Sequence, residues 1–220
     1  GKGYEPAECD ATSWHGIPAE CPAPSTGESF TSAFSRTILE LGEADPGIMA
    51  ITAAMADGTG LTAFSKRFPE RFHDVGIAEQ HAVTFACGLA FGGMKPVVAL
   101  YSTFLQRALN QVIHDAALQS APIVLAVDRA GAVGEDGPTH HGMFDIAMLR
   151  SVPNLLLAAP RNCAMLSALL KEAFSLGTGP VVIRYPRGSE PAGLPGPGDD
   201  IRPVRGHILR DGADVLVIAC

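Results

Sequence analysis

The sequence predicts an α/β fold, a parallel β-sheet flanked by helices on both faces. Two observations predict it. Six short apolar runs lack the polar alternation of a half-exposed strand, which is the pattern of strands buried on both sides. Between them lie longer segments with apolar residues at helical spacing, and strands that trade places with helices build parallel sheets. In chain order, a helix over 29–42 precedes the strand GIMAIT (47–52), and the strand RFHDV (71–75) follows. A helix over 78–92 leads to PVVALY (96–101), and one over 103–119 leads to IVLAVD (123–128). NLLLAA (154–159), a helix over 162–175 and PVVIRY (180–185) complete the set, with no internal repeat.

The regular pattern occupies 28–187. Before it, residues 1–27 carry prolines, glycines and two cysteines without periodicity and read as a linker or arm. After it, GSEPAGLPGPGDDIRP (188–203) reads as a second linker, and 204–220 as the opening of another domain. The chain starts without methionine and stops inside ADVLVIAC, a run that reads as a buried strand, so it is expected to be a piece of a longer protein.

With 47% hydrophobic and 18% charged residues the chain can bury a core and an active site. A net charge of −7 without any Lys/Arg cluster argues against nucleic acid or an anionic membrane as partner. Cys9, Cys21, Cys87, Cys163 and Cys220 are odd in number and show no metal-ligand spacing, which indicates a reducing, cytoplasmic compartment and no zinc. The longest nearly uncharged run, 82–94, is too short to span a bilayer, and no signal peptide opens the chain.

In open parallel sheets, ligands bind beyond the carboxyl ends of the strands, and the unusual polar residues fall there. Glu79 follows the 71–75 strand at the head of a segment with no other formal charge before Lys95. A lone carboxylate in such a place calls for a partner, either a ligand or the free N–H groups of a first helical turn. Tyr101, Phe104 and Arg107 follow 96–101; the aromatic ring can stack on a planar ligand or simply pack in the core. The loop RAGAVGEDGPTHHG (129–142) is long for a strand-to-helix connection and carries carboxylates at Glu135 and Asp136 and adjacent histidines. His140 or His141 beside a carboxylate could shuttle protons near neutral pH, with a metal site as the rival use. Arg129 and Arg187 leave strands toward the same edge, suited to holding a phosphate or to pairing with surface carboxylates.

The segments HDVGIAEQHAVTFACGLA, YSTFLQRALNQVIHD, VDRAGAVGEDGPTHHGMFD and VIRYPRG, with GKGYEPAE and SWHGIP at the start, closely resemble the central pyrimidine-binding domain of the 1-deoxy-D-xylulose-5-phosphate synthases. The resemblance implies a thiamine diphosphate-binding fold of pyrimidine-domain type, with 1–27 as the arm leaving an N-terminal diphosphate-binding domain. It also implies the reaction: thiamine diphosphate and Mg²⁺ join pyruvate, with loss of CO₂, to D-glyceraldehyde 3-phosphate, feeding isoprenoid, thiamine and pyridoxal precursors. Glu79 matches the family's glutamate that bonds N1′ of the aminopyrimidine and favours the 4′-imino tautomer that removes the thiazolium C2 proton. Phe104 would stack on the pyrimidine, with Tyr101 and Arg107 beside it. Asp136 and His140 would face substrate, His140 as acid/base; Arg129 and Arg187 would hold the substrate phosphate, and His15 would reach the site from the arm. The family implies a homodimer.

Transketolases carry a loop much like GEDGPTH; IAEQHAV, HHGMFD and RYPRG favour the synthase. No Gly-Asp-Gly with a downstream Asn to hold Mg²⁺ is present, since ADGTG (56–60) and GEDG (134–137) lack that order. The metal is therefore expected outside this chain, and the chain alone is expected to be inactive. The rival readings are a transketolase, the β-type domain of a 2-oxo acid dehydrogenase, or a non-catalytic dimerisation domain.

Overall fold

The structure, a computed structural model, describes residues 2–10, 14 and 27–190. Six strands, β1 (Ile48–Thr52), β2 (Phe72–Asp74), β3 (Lys95–Tyr101), β4 (Val124–Asp128), β5 (Leu156–Ala158) and β6 (Val181–Arg184), form one sheet in the order β2-β1-β3-β4-β6-β5, every pair parallel. All six coincide with the apolar runs of the sequence. Along β3, Val97 and Ala99 face one core while Val98 and Leu100 face the other, the period of two that a sheet covered on both sides requires.

The helices are α1 (Glu5–Cys9), α2 (Phe30–Ala44), α3 (Thr62–Arg67), α4 (Glu79–Phe91), α5 (Ser102–Leu105), α6 (Leu109–Gln111), α7 (Asp145–Leu149) and α8 (Cys163–Leu176). α2, α3 and α8 cover one face and α4, the 102–117 segment and α7 the other. α2 starts where the Ser29 hydroxyl accepts the N–H of Ser32, and α8 where Asn162 accepts that of Met165; both side chains satisfy donors that a helix start leaves free. α8 stops at Gly177, whose φ of 61° a side chain would strain. Phe34, fully buried on α2, contributes roughly 2–3 kcal/mol by leaving water.

One expectation needs correction. The span 103–119 is not one regular helix: α5 and α6 flank a 3-10 turn (Gln106–Ala108), and a π-helical stretch (Val112–Ala117) follows. Leu118 N–H bonds Ile113 O, five residues back, the spacing of a π turn. The arm contains α1, and Tyr4 meets Trp14 edge-on. At the start of the second linker, Gly188 O accepts Phe30 N–H, Ser189 bridges Ser29, and Glu190 N–H bonds Glu28 O. The rest of that linker, 191–203, the segment 204–220 and His15 lie outside the described residues.

Chain order fixes where a ligand can sit. From β1 the chain places β2 on one side and β3 on the other, so a crevice opens between their carboxyl ends at the reversal point. Thr52, Tyr101 and Asp128 end the strands there.

Candidate functional site

Glu79 is the first residue of α4 and is 3% exposed. The turn before it is set by Asp74 at the end of β2, whose Oδ1 accepts the N–H groups of Ala54 (2.7 Å) and Gly76 (3.0 Å). Asp74 thereby ties the exits of β1 and β2 together. Gly76 takes φ 69° with no cost in side-chain strain, and Ala78 at the N-cap gives the helix no side-chain cap. Ala82, Val83 and Ala86 on the same helix are buried, so an apolar wall lies behind the carboxylate. Arg107 Nη1 stands 3.3 Å from Glu79 Oε2, so the carboxylate is not alone, as the sequence suggested. The pair is lopsided, with a half-exposed guanidinium against a buried carboxylate whose Oε2 has no hydrogen-bond partner.

A second group gathers at the exits of β3, β4 and β6. Tyr101 and Phe104 stack with centroids 5.5 Å apart, and the His140 ring stands edge-on to both, 6.4 and 5.6 Å away. Burial pushes the Tyr101 phenol up to about 12, against the pull of Arg129. The 129–142 loop that delivers His140 is closed at its base by paired hydrogen bonds between Gly131 and Gly142. Gly142 must be glycine, because a Cβ there would meet Ser102 Cβ and Oγ and Arg129 O at 2.4 Å each. Thr103 Oγ1 donates to Thr139 O, and Thr139 Oγ1 lies 2.9 Å from His140 Nδ1. His141 turns the other way: its Nδ1 accepts the Val133 N–H at 3.2 Å, so this ring is used inside the loop and its neighbour faces the aromatic pair.

The two arginines converge on Asp136. Arg187 Nη1 contacts Oδ1 at 2.5 Å, and Arg129 Nε lies 3.8 Å from Oδ2. Arg129 is also tied inward. Its Nη1 donates to Gly58 O (2.7 Å) and to the buried Asp128 (2.8 Å), and its Cζ sits 4.0 Å from the Tyr101 centroid. Burial pushes Asp128 up, while Arg129 and the Thr31 hydroxyl pull it down.

Each candidate within the described residues therefore lies on one edge of the sheet. Glu79 and Arg107 form one group; Tyr101, Phe104, His140, Asp136, Arg129 and Arg187 form the other; residues 101–107 belong to both. Arg107 and Ala108 part ways at the irregular turn, which buries Ala108 and directs Arg107 to Glu79. Glu79 Oε2, Ser102 Oγ, Gln111 Oε1, Arg129 Nε and Asp136 Oδ2 are buried without hydrogen bonds. Such atoms are uncommon in folded proteins and mark where something polar should arrive.

Sequence reasoning missed Asp128 and the pair Asp145–Arg184, joined at 2.7 Å with Asp145 1% exposed. Asp128 carried a signal, a charge closing an otherwise apolar strand. Asp145 had none beyond its place in HHGMFD. Among the described residues no cluster of three or more His, Cys, Asp or Glu could hold a metal ion, and no helix is long and apolar enough to cross a membrane.

Residues 27–191 match the family model described as transketolase, pyrimidine binding domain. The chain is 52% identical over its whole length to a 1-deoxy-D-xylulose-5-phosphate synthase of Thermomicrobium roseum, and 50% identical over 99% of its length to that of Carboxydothermus hydrogenoformans. It spans 35% and 36% of those proteins. Among solved structures, a split-gene transketolase described as an inactive β4 tetramer superposes with TM-score 0.65 at 30% identity, covering 74% of this chain and 53% of that one. Transketolase from Leishmania mexicana, at 24% identity, shares the fold with TM-score 0.67 over 80% of this chain and 28% of its own.

Proposed function

The chain belongs to the transketolase pyrimidine-binding domain family, and on that premise we propose that it forms the pyrimidine half of a thiamine diphosphate site in a 1-deoxy-D-xylulose-5-phosphate synthase. The observation that carries this is the buried Oε2 of Glu79, set against an apolar helix wall beside the crevice and lacking a hydrogen bond. An aminopyrimidine ring nitrogen fits that atom. When bound, thiamine diphosphate supplies the electron sink through which pyruvate loses CO₂ and the remaining two carbons join D-glyceraldehyde 3-phosphate.

The chain's own groups do the rest. Glu79 would hold the ring through a proton at its carboxyl, and Arg107 pairs with that carboxylate at 3.3 Å. Phe104 and Tyr101 offer flat faces to the ring. His140, with Nδ1 bonded to Thr139, is assigned the exchange of a proton with substrate oxygen. Arg187 and Arg129 receive the phosphate of glyceraldehyde 3-phosphate, with Asp136 between them when it is absent. Mg²⁺ and the diphosphate belong to the part of the relatives that this chain does not span.

We place the protein in a reducing cytoplasm, in line with free thiols at Cys9, Cys87 and Cys163. A second copy would pack against the face carrying Phe91, Ile113 and Leu118, which are 56%, 43% and 69% exposed. The test is product analysis with the full-length protein, pyruvate and glyceraldehyde 3-phosphate. The expected product is 1-deoxy-D-xylulose 5-phosphate with CO₂; transfer between ketose phosphates or acylation of lipoate would instead assign one of the related activities. The 220-residue chain given thiamine diphosphate and Mg²⁺ should release no CO₂ from pyruvate.

A further inference from the structure

We propose that Asp128 is a positioning residue that latches the guanidinium of Arg129 across the ring of Tyr101 and so fixes the phosphate-reading side of the pocket. This rests on the reading that Arg129 and Tyr101 line that pocket.

The latch is built from one carboxylate. Asp128 ends β4 with no exposure to solvent. Its Oδ1 accepts the backbone N–H of Arg129 at 2.6 Å, and its Oδ2 accepts Arg129 Nη1 at 2.8 Å. Main chain and side chain of Arg129 are thus both bound to the residue before it. That closure needs a backbone turned back on itself, and Arg129 has φ 58°, a left-handed conformation uncommon for a long side chain. A third donor comes from the opposite layer: Thr31 Oγ1, on α2, reaches Oδ2 at 2.8 Å. It ties the carboxylate to the core side of the sheet, where the strand itself gives no hold on a side chain.

The consequence falls on Arg129. Nη1 is shared between Asp128 and Gly58 O, and the plane lies against the Tyr101 ring with Cζ 4.0 Å from its centroid. Nε then faces Asp136 at 3.8 Å without a hydrogen bond. Asp128 and Gly58 both hold Nη1, so what Arg129 turns toward the pocket is its Nε–H. Arg187, with its side chain 35% exposed, meets the same Asp136 from the rim. One arginine is therefore fixed and one stands at the mouth.

The experiment uses full-length protein carrying Asp128→Asn, Arg129→Ala and both. Asp128→Asn should raise the KM for glyceraldehyde 3-phosphate roughly tenfold, with the KM for pyruvate and the affinity for thiamine diphosphate unchanged. In the Arg129→Ala background the same change should add nothing, because both act through one group. A crystal structure of the Asp128→Asn variant should show the guanidinium off the Tyr101 ring. Additive effects, or a guanidinium that stays in place, would overturn the proposal. If Asp128→Asn does not fold, Thr31→Val removes one donor and keeps the charge pair; it should shift the same KM less and again be silent with Arg129→Ala, and an additive result would again overturn it. An Arg129→Ala variant with an unchanged KM would sink the phosphate reading separately, while the crystal structure still decides whether Asp128 sets the guanidinium.

Discussion

At Glu79 two unlike surroundings meet at the start of α4. Ala82, Val83 and Ala86 exclude water from one side, and Arg107 approaches from the other. The helix start adds a favourable field for an anion. Oε2 is nevertheless left without a directed partner, so the residue is held in readiness more than it is satisfied. This position was readable from the sequence, since an isolated acid in an apolar stretch is conspicuous. Its partner was not: Arg107 lies on another element, and the two meet only once α4 packs on the 102–117 segment. The arginines differ likewise. Arg187→Ala, at the rim, should raise the KM for glyceraldehyde 3-phosphate about tenfold or more and the KM for pyruvate little; steady-state kinetics with each substrate varied will check it, and equal shifts would remove its phosphate role.

At the scale of elements, the strands were legible because burial on both faces erases polar alternation. The 103–119 segment was legible as helical and not as irregular. Its core residues Ala108, Val112 and Ala116 recur at a spacing that suits α-helix, and apolar spacing does not distinguish an α turn from a π turn joined to it. α7 was too short for any period to register. It is nonetheless pinned, since Asp145 at its first position holds Arg184 of β6 at 2.7 Å and bonds Ile146 N–H at 2.8 Å. Asp145→Ala would leave a mostly buried guanidinium without its counter-charge, and should lower the free energy of unfolding by roughly 3–5 kcal/mol, measured by urea titration of the 220-residue chain. A loss under 1 kcal/mol would mean that Arg184 finds another partner.

For the molecule as a whole, several acid groups are buried in their neutral forms. Burial pushes Cys87 and Cys163 from an ordinary 9.0, and Tyr101 from 10.0, up to about 12; Tyr185, fully buried, is raised well above 10.0 for the same reason. Since the folded values lie above the unfolded ones, the unfolded chain gives up these protons first as pH rises. The stability tied to the neutral groups is complete below the ordinary values and is lost as pH climbs from about 9 toward about 12. Urea midpoints should therefore hold steady from about pH 7 to 8.5 and fall above about pH 9; a flat profile to about pH 11 would show that these groups ionise in place.

The same scale holds the function. One sheet edge gathers two acids, two flat rings, a histidine and three arginines from four strand exits, within a chain that spans 35% of a half-identical relative. The fold could be read almost entirely from strand and helix periods. The site could be read only as a set of residues, because which of them touch depends on loop closure and packing across the sheet. The most direct test is the exchange of the thiamine C2 proton in full-length protein, followed by proton NMR after quenching in deuterated solvent. Glu79→Ala should slow it by roughly a hundredfold or more with the cofactor still bound, and exchange at the wild-type rate would contradict the account.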